Sequence, residues 1–172
     1  MSTDAGAAAA RACAPTLREA AAESVVDRRY RVRREIARGG MGVVLEAEHV
    51  VLKTPVALKV LTSAALVQPV LHERMHREAR ALACARHPGV VPIFDAGSCE
   101  VHGPYLVLER VEGRTLESFI LARQRLDVPS VVAIAVQLGE ALAHVHRVGV
   151  VHRDVKPANV LVTREPGARA TR

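Results

Sequence analysis

Apolar positions change their rhythm several times along the 172 residues, and each change marks an element. Tyr30, Val32 and Ile36 fall mostly on alternate positions, Val43–Glu48 follows a glycine cluster, and Pro55–Leu61 is a short run rich in apolar and β-branched residues. Side chains alternate across a strand, so three such runs separated by turns predict an antiparallel meander. The period then lengthens. Leu71, Met75, Glu78 and Leu82 share one face at a 3.6-residue repeat, which predicts a helix over about Val70–Arg86, ended by His87-Pro88-Gly89. Val90–Phe94 and Tyr105–Val111 read as two further strands. A longer helix is predicted over about Pro129–Val148, with Val131, Ile134, Leu138, Leu142 and Val145 as its stripe and Gly149 just past its end. Val150-Val151 and Val160–Val162 are short strand-like runs flanking a polar loop.

Residues 1–29 lack this patterning. Ala5–Ala14 is low-complexity, Pro15 interrupts it, and Ala22–Arg29 is expected to form no more than a helical turn or two. The segment reads as a disordered, Ala-rich leader, with one folded unit over 30–172.

Composition narrows the class. With 49% apolar and 24% charged residues the chain resembles an ordinary globular domain, but its aromatics are only Tyr30, Phe94, Tyr105 and Phe119, so the core must be aliphatic. The net charge is +6, carried by scattered arginines without interleaved aromatics, which argues against a nucleic-acid surface. Cys13, Cys84 and Cys99 are far apart and form no C-x-x-C pair, so neither a disulfide framework nor a cysteine zinc site is indicated, and a reducing cytoplasm is the expected setting. No uninterrupted apolar run reaches the length of a membrane span, and no membrane segment is expected.

Chemistry concentrates at a few places. Gly39-Gly40-Met41-Gly42 lies between two strands, and phosphate binding needs such side-chain-free backbone, although a plain hairpin turn uses the same residues. Ala57 and Lys59 are two apart on a strand and face one side, a small residue beside an ammonium. Only Lys53, Lys59 and Lys156 among the 24 basic residues are lysines, so this chain keeps Lys where a compact point charge is useful. Glu78 sits on the apolar stripe of its helix, where a carboxylate is costly unless paired, and Lys59 is its natural partner. The densest signal is His152-Arg153-Asp154-Val155-Lys156-Pro157-Ala158-Asn159. Asp accepts a hydroxyl proton, Lys steadies a transferring phosphoryl group, and Asn ligates Mg²⁺.

These motifs, in this order, resemble the Ser/Thr protein kinases of the eukaryotic type found in bacteria. The glycine loop reads in the family frame as Ala37, Gly39, Gly42 and Val44, with Ala37 replacing the first glycine; Val56-Ala57-Leu58-Lys59 matches the V-A-x-K strand; and Tyr105–Gly113 is similar to the hinge, with Leu108 in the gatekeeper position. The resemblance implies an α+β fold: a kinase-like N-lobe (antiparallel sheet plus one helix) over about 30–111, then the first helices and catalytic loop of the C-lobe over about 112–163. It implies ATP and Mg²⁺ as cofactors and a protein carrying Ser or Thr as substrate. By the same resemblance Gly39 and Gly42 cover the phosphates with Ala37 beside them, and Val44 and Ala57 sandwich adenine. Lys59 holds the α- and β-phosphates and pairs with Glu78, while Glu109 and Val111 present hinge backbone to adenine. Asp154 orients the substrate hydroxyl, Lys156 contacts the γ-phosphate, and Asn159 binds Mg²⁺. His152 and Arg153 are expected to be structural.

The likeness extends to about Thr163, and residues 164–172 match no part of it. The D-F-G, the activation loop, the A-P-E and the remaining helices have no counterpart, as expected of a fragment left by a frameshift or early stop. The stripe at 129–148 is then expected to need a covering partner, since each large aliphatic left in water forfeits about 1.5–3 kcal/mol of burial. Two other readings compete. One is a kinase-like module that binds nucleotide or a partner without transfer. The other takes His72-Glu73-Arg74-Met75-His76 as the H-E-x-x-H of a zinc metalloprotease, for which no third ligand follows in sequence.

Overall fold

The computed structural model describes residues 24–39, 42–61, 79, 82–83, 86–99 and 102–163. Six strands form one antiparallel sheet: β1 (Val25–Val26), β2 (Tyr30–Gly39), β3 (Gly42–His49), β4 (Pro55–Leu61), β5 (Ile93–Cys99) and β6 (Gly103–Glu109), in the order β1-β2-β3-β4-β6-β5. The meander expected for β2 to β4 is present, with Val44 opposite Lys59 and Glu46 opposite Ala57.

Alternation gives the sheet two unlike faces. Val43, Leu45 and Ala47 of β3, Val56, Leu58 and Val60 of β4, and Tyr105 and Val107 of β6 point to one side, where they form the core with Val26, Tyr30 and Val32. Leu58 and Val43 are fully enclosed, and burying each such side chain is worth about 1.5–3 kcal/mol. The core is aliphatic with two tyrosines, close to the composition-based expectation.

Those tyrosines close the sheet. The Tyr30 hydroxyl on β2 donates to Asp95 Oδ2 on β5 at 3.1 Å, and Arg29 Nη1 lies 2.7 Å from the same oxygen. The Tyr105 hydroxyl on β6 donates to Asp27 Oδ2, in the turn after β1, at 2.6 Å. β1 and β5 are the two ends of the strand order, so these bonds curl the sheet until its ends meet. Burial pushes the Tyr30 phenol up to about 12 and the Tyr105 phenol higher still, which keeps both as donors.

Three sequence expectations change here. Residues 24–29, assigned to the leader and to a helical turn, instead form β1 and its turn: Val25 pairs with Arg31, and Val26 has no exposed surface. A two-residue strand is too short to show alternation, and its place is set by the core slot that Val26 fills. The strand expected at Val90–Phe94 begins only at Ile93 and runs to Cys99. Its polar and small residues have partners: Asp95 receives the Tyr30 hydroxyl, and Gly97 yields to the Tyr105 ring, whose hydroxyl would lie 2.4 Å from any added Cβ. The following strand ends at Glu109, not Val111. Of the helix expected at 70–86, Ala79, Leu82 and Ala83 are helical, and the rest lies outside the described residues.

After β6 come β7 (Arg114–Thr115), α1 (Leu116–Arg123), α2 (Val128–Arg147), a 3-10 turn (Pro157–Asn159) and β8 (Leu161–Val162). β8 pairs with β7, whereas Val150-Val151 forms no strand. α1 carries no regular stripe; it is anchored by buried Leu116 and Phe119, with the Arg114 and Arg123 guanidinium groups each 4.8 Å from the Phe119 ring centroid. α2 starts where Ser130 N–H donates to Asp127 Oδ1 at 2.8 Å. It ends in a Schellman arrangement, with Gly149 N–H on the His146 carbonyl, Val150 N–H on the Val145 carbonyl, and Gly149 at φ +79.

The inner face of α2 is only partly covered. Ala141 and Val145 are buried, Ile134, Leu138 and Leu142 are half-buried, and Val131 is 48% exposed, as are Val132 and Val136 to a similar degree. Among the described residues this is the one helix long and apolar enough to cross a membrane, by length and composition alone, with a mean hydropathy of 1.5. Counting uninterrupted apolar runs overlooked it, because Gln137 and Glu140 break the run while the mean over the helix still stays at 1.5. The helix also packs in the fold: a Cβ at Gly89 would lie 3.0 Å from the Ala141 Cβ, and the His87 and His144 rings are 5.1 Å apart.

Candidate active site

The face of the sheet opposite the core collects the candidate nucleotide residues. Strand pairing sets Ala37, Val44, Lys59 and Leu106 side by side in one row across β2, β3, β4 and β6. The adjacent row is Arg34, Glu46, Ala57 and Leu108. Directly paired residues share a face, so Val44, Ala57, Lys59 and Leu108 form one surface. The physical reason is the alternation itself: their neighbours Val43, Leu45, Val56, Leu58, Val60 and Val107 are claimed by the core. Glu78, the expected partner of Lys59, lies outside the described residues.

The two described glycines of the loop serve different ends. Gly42, at φ +153, is forced by packing: an added Cβ would meet the Val60 carbonyl oxygen at 2.2 Å. Gly39 has nothing within 4 Å of the place a Cβ would occupy, so the fold does not need glycine there and the space stays open for a ligand. Gly40 and Met41 lie outside the described residues.

The polar loop brings its three candidates together. Lys156 Nζ lies 2.9 Å from Asp154 Oδ1, and Asn159 Nδ2 donates to both Asp154 Oδ2 and the Asp154 carbonyl at 2.8 Å. Lys156 first, then Asn159, hold the Asp154 carboxyl below its ordinary value, so it is an anion at neutral pH. The 3-10 turn creates this contact by folding Asn159 back, its N–H on the Lys156 carbonyl at 2.9 Å. His152 Nδ1 accepts from the Asp154 N–H at 3.4 Å, and Arg153 takes φ +61 with its side chain exposed. The loop is tied to α1 through the Leu116 N–H, which donates to the Val160 carbonyl at 2.7 Å.

Asn159 spends its amide N–H groups on Asp154, which leaves its side-chain carbonyl oxygen for another partner, and an amide oxygen is a donor that suits a hard cation such as Mg²⁺. Among the described residues no group of three His, Cys, Asp or Glu side chains is placed to hold a metal. The H-E-x-x-H residues 72–76 lie outside the described residues.

In the hinge segment, the Glu109 N–H donates to the Pro92 carbonyl at 3.0 Å. Arg110 Nη1 donates to the Val111 carbonyl at 3.2 Å, and Arg110 Nε lies 3.5 Å from Glu46 Oε1. Neither Arg110 nor Glu46 was singled out from sequence. The available signal was a carboxylate at 46, two positions from Val44 and therefore on the same face.

Comparison with known proteins agrees with this geometry. The sequence profile of the protein kinase domain matches residues 30–170, so it also takes in residues 164–170, which had matched nothing by motif. Serine/threonine-protein kinase PknH of Mycobacterium tuberculosis is 46% identical over 137 residues, which are 79% of this chain and 22% of that protein. Serine/threonine-protein kinase PknA of the same species is 42% identical over 139 residues, 78% of this chain and 32% of that protein. The crystal structure of the M. tuberculosis PknI kinase domain superposes with a TM-score of 0.75 at 30% identity, covering 83% of this chain and 57% of that one. The chain thus spans a third or less of these curated relatives and somewhat over half of the solved kinase domain. A curled antiparallel sheet, a loop in which Asp154, Lys156 and Asn159 converge, and these matches together establish that the chain belongs to the protein kinase domain family.

Proposed function

We propose that this chain carries the nucleotide-binding and catalytic-loop part of a Ser/Thr protein kinase, transferring the γ-phosphoryl group of MgATP to a protein hydroxyl. The observation that carries the reading is the convergence of Asp154, Lys156 and Asn159. In this reading the organisation is an N-lobe to about residue 111 and the start of a C-lobe to about 163. Val44 and Ala57 flank adenine, with Leu108 as gatekeeper. Glu109 and Val111 present backbone groups to its edge. Lys59 neutralises the α- and β-phosphates, and Gly39, with Ala37 beside it, leaves room above them, while Gly42 lets the loop's second strand pack close to β4. Asp154 accepts a hydrogen bond from the substrate hydroxyl and orients it, Lys156 offsets charge on the phosphoryl group in flight, and Asn159 holds Mg²⁺ by its carbonyl oxygen. Mg²⁺, when bound, supplies the charge neutralisation that phosphoryl transfer requires. Lysine directly in the H-R-D-x-K pattern supports Ser/Thr as acceptor. Nothing in the composition calls for an extracytoplasmic setting, and we place the activity in the cytoplasm.

The test is γ-phosphate transfer from MgATP to a Ser/Thr-containing acceptor protein by the wild-type chain, Lys59→Met and Asp154→Asn. Transfer by wild type and loss of at least about a hundredfold in each variant is the expected result, the scale of removing one electrostatic group from such a site. Equal transfer by all three would end the proposal. A second reading is a module that binds nucleotide without transferring phosphate. ATP-induced thermal stabilisation without transfer would select it.

A further inference from the structure

The hinge segment of this chain is joined to the sheet by a charged brace. Glu46 stands on β3 opposite Ala57, on the face that carries Val44 and Lys59. Two guanidinium groups reach it: Arg34 Nη2 at 2.5 Å from Oε2, and Arg110 Nε at 3.5 Å from Oε1. Glu46 and Arg110 are each only 22% exposed in their side chains, and both Glu46 Oε2 and Arg110 Nε are enclosed without an aligned hydrogen bond. The attraction is therefore between charges. Partial desolvation is a cost for an arginine with an easy route to solvent, so the pair marks a fixed arrangement.

Arg110 lies between Glu109 and Val111, in a segment with no strand or helix bonding of its own. Its second contact, Nη1 to the Val111 carbonyl, fixes the peptide after it. One side chain thus joins the connecting segment to the sheet face beside it. We propose that Arg110 is a positioning residue for adenine: by bridging Glu46 and the Val111 carbonyl it presets the backbone groups of 109–111 at the edge of the nucleotide cleft. This rests on the nucleotide reading above. A preset hinge loses less conformational freedom when adenine binds, so the brace raises affinity for the base and leaves the phosphates unaffected.

The full chain, Arg110→Met, Glu46→Gln and the double variant are titrated calorimetrically with MgATP and, separately, with magnesium tripolyphosphate. Arg110→Met is expected to weaken ATP binding about five- to tenfold, the scale of one charged contact, with tripolyphosphate unchanged. Glu46→Gln is isosteric and keeps the fold, so it carries the test even where Arg110→Met does not fold; it is expected to act in the same direction. The double variant should be no weaker than Arg110→Met alone, since both act through one contact. ATP affinity within twofold of wild type in both single variants overturns the brace alone. Equal loss for ATP and tripolyphosphate assigns the pair to general stability and also overturns it. Wild-type chain that binds neither probe removes the nucleotide reading itself, and the brace with it.

Discussion

At the residue scale, glycines and carboxylates carry separable roles. Gly42 and Gly39 pair with each other across β2 and β3, yet only Gly42 has backbone in the space a methyl group would take. Gly42→Ala is expected to lower stability by more than about 1 kcal/mol, since strain and a clash add to the unfavourable φ. Gly39→Ala should leave the urea midpoint within about 0.5 kcal/mol of wild type while weakening MgATP binding. A loss of stability in both would put Gly39 back in the fold. Asp95 gives a pH prediction. Burial raises its carboxyl, but the Ala96 N–H, Arg29 and the Tyr30 hydroxyl outweigh this and hold it below the ordinary value. A depressed pKa means that its stabilisation is complete above the unfolded value and fades as pH falls through the folded one. Wild type should therefore lose more stability than Asp95→Asn between about pH 5 and pH 3, measured by urea midpoints at each pH. Parallel curves for the two proteins would deny Asp95 this role.

At the element scale, α2 is defined by its ends as much as by its stripe. Asp127 satisfies a first-turn N–H, and Gly149 supplies the left-handed residue that closes the last turn. Asp127→Ala and Gly149→Ala should each cost about 1 kcal/mol in urea unfolding. They sit at opposite ends of a 20-residue helix and should add. This helix was readable because period and terminal glycine agree. α1 was not, because Phe119 is buried through the fold around it and leaves no periodic trace. β8 fell within the strand-like run at 160–162, but its partner β7 was missed for a related reason: a two-residue strand at Arg114–Thr115 exists only through its pairing with Val162 and Leu161, far away in sequence.

At the scale of the whole molecule, one feature is closed and another left open. The Tyr–Asp bonds at the sheet ends close the first lobe, and Tyr105→Phe is expected to cost about 1–3 kcal/mol by leaving Asp27 without its donor. The second lobe presents Val128, Val131, Val132 and Val136 to solvent on one helix. Such a patch binds apolar dyes and promotes self-association. Replacing Val132 and Val136 together by Lys should reduce dye binding and self-association in light scattering. It should also leave the unfolding midpoint within about 0.5 kcal/mol, since exposed side chains contribute little. A large drop in midpoint would mean that these valines are packed in solution.

Alternation along β3 and β4, the 3.6-residue stripe of α2 and the order of glycine loop, lysine and H-R-D-x-K-x-x-N were determined by the sequence alone, because each is a local pattern with a local physical cause; along β2 the alternation expected through Ile36 is broken by two register shifts that leave Ile36 exposed. That Ala57 and Lys59 share a face followed from the same parity, whereas the pairing register between strands brought Val44 and Leu108 beside them. Tertiary structure decided what depends on distant partners: that Val26 fills the core, that Tyr30 and Tyr105 bond the sheet's ends together, that Asn159 turns back onto Asp154, and that Arg110 reaches Glu46. Those contacts join positions 5 to 78 residues apart, and no spacing rule marks them, because their geometry exists only once the strands and the loop are in place.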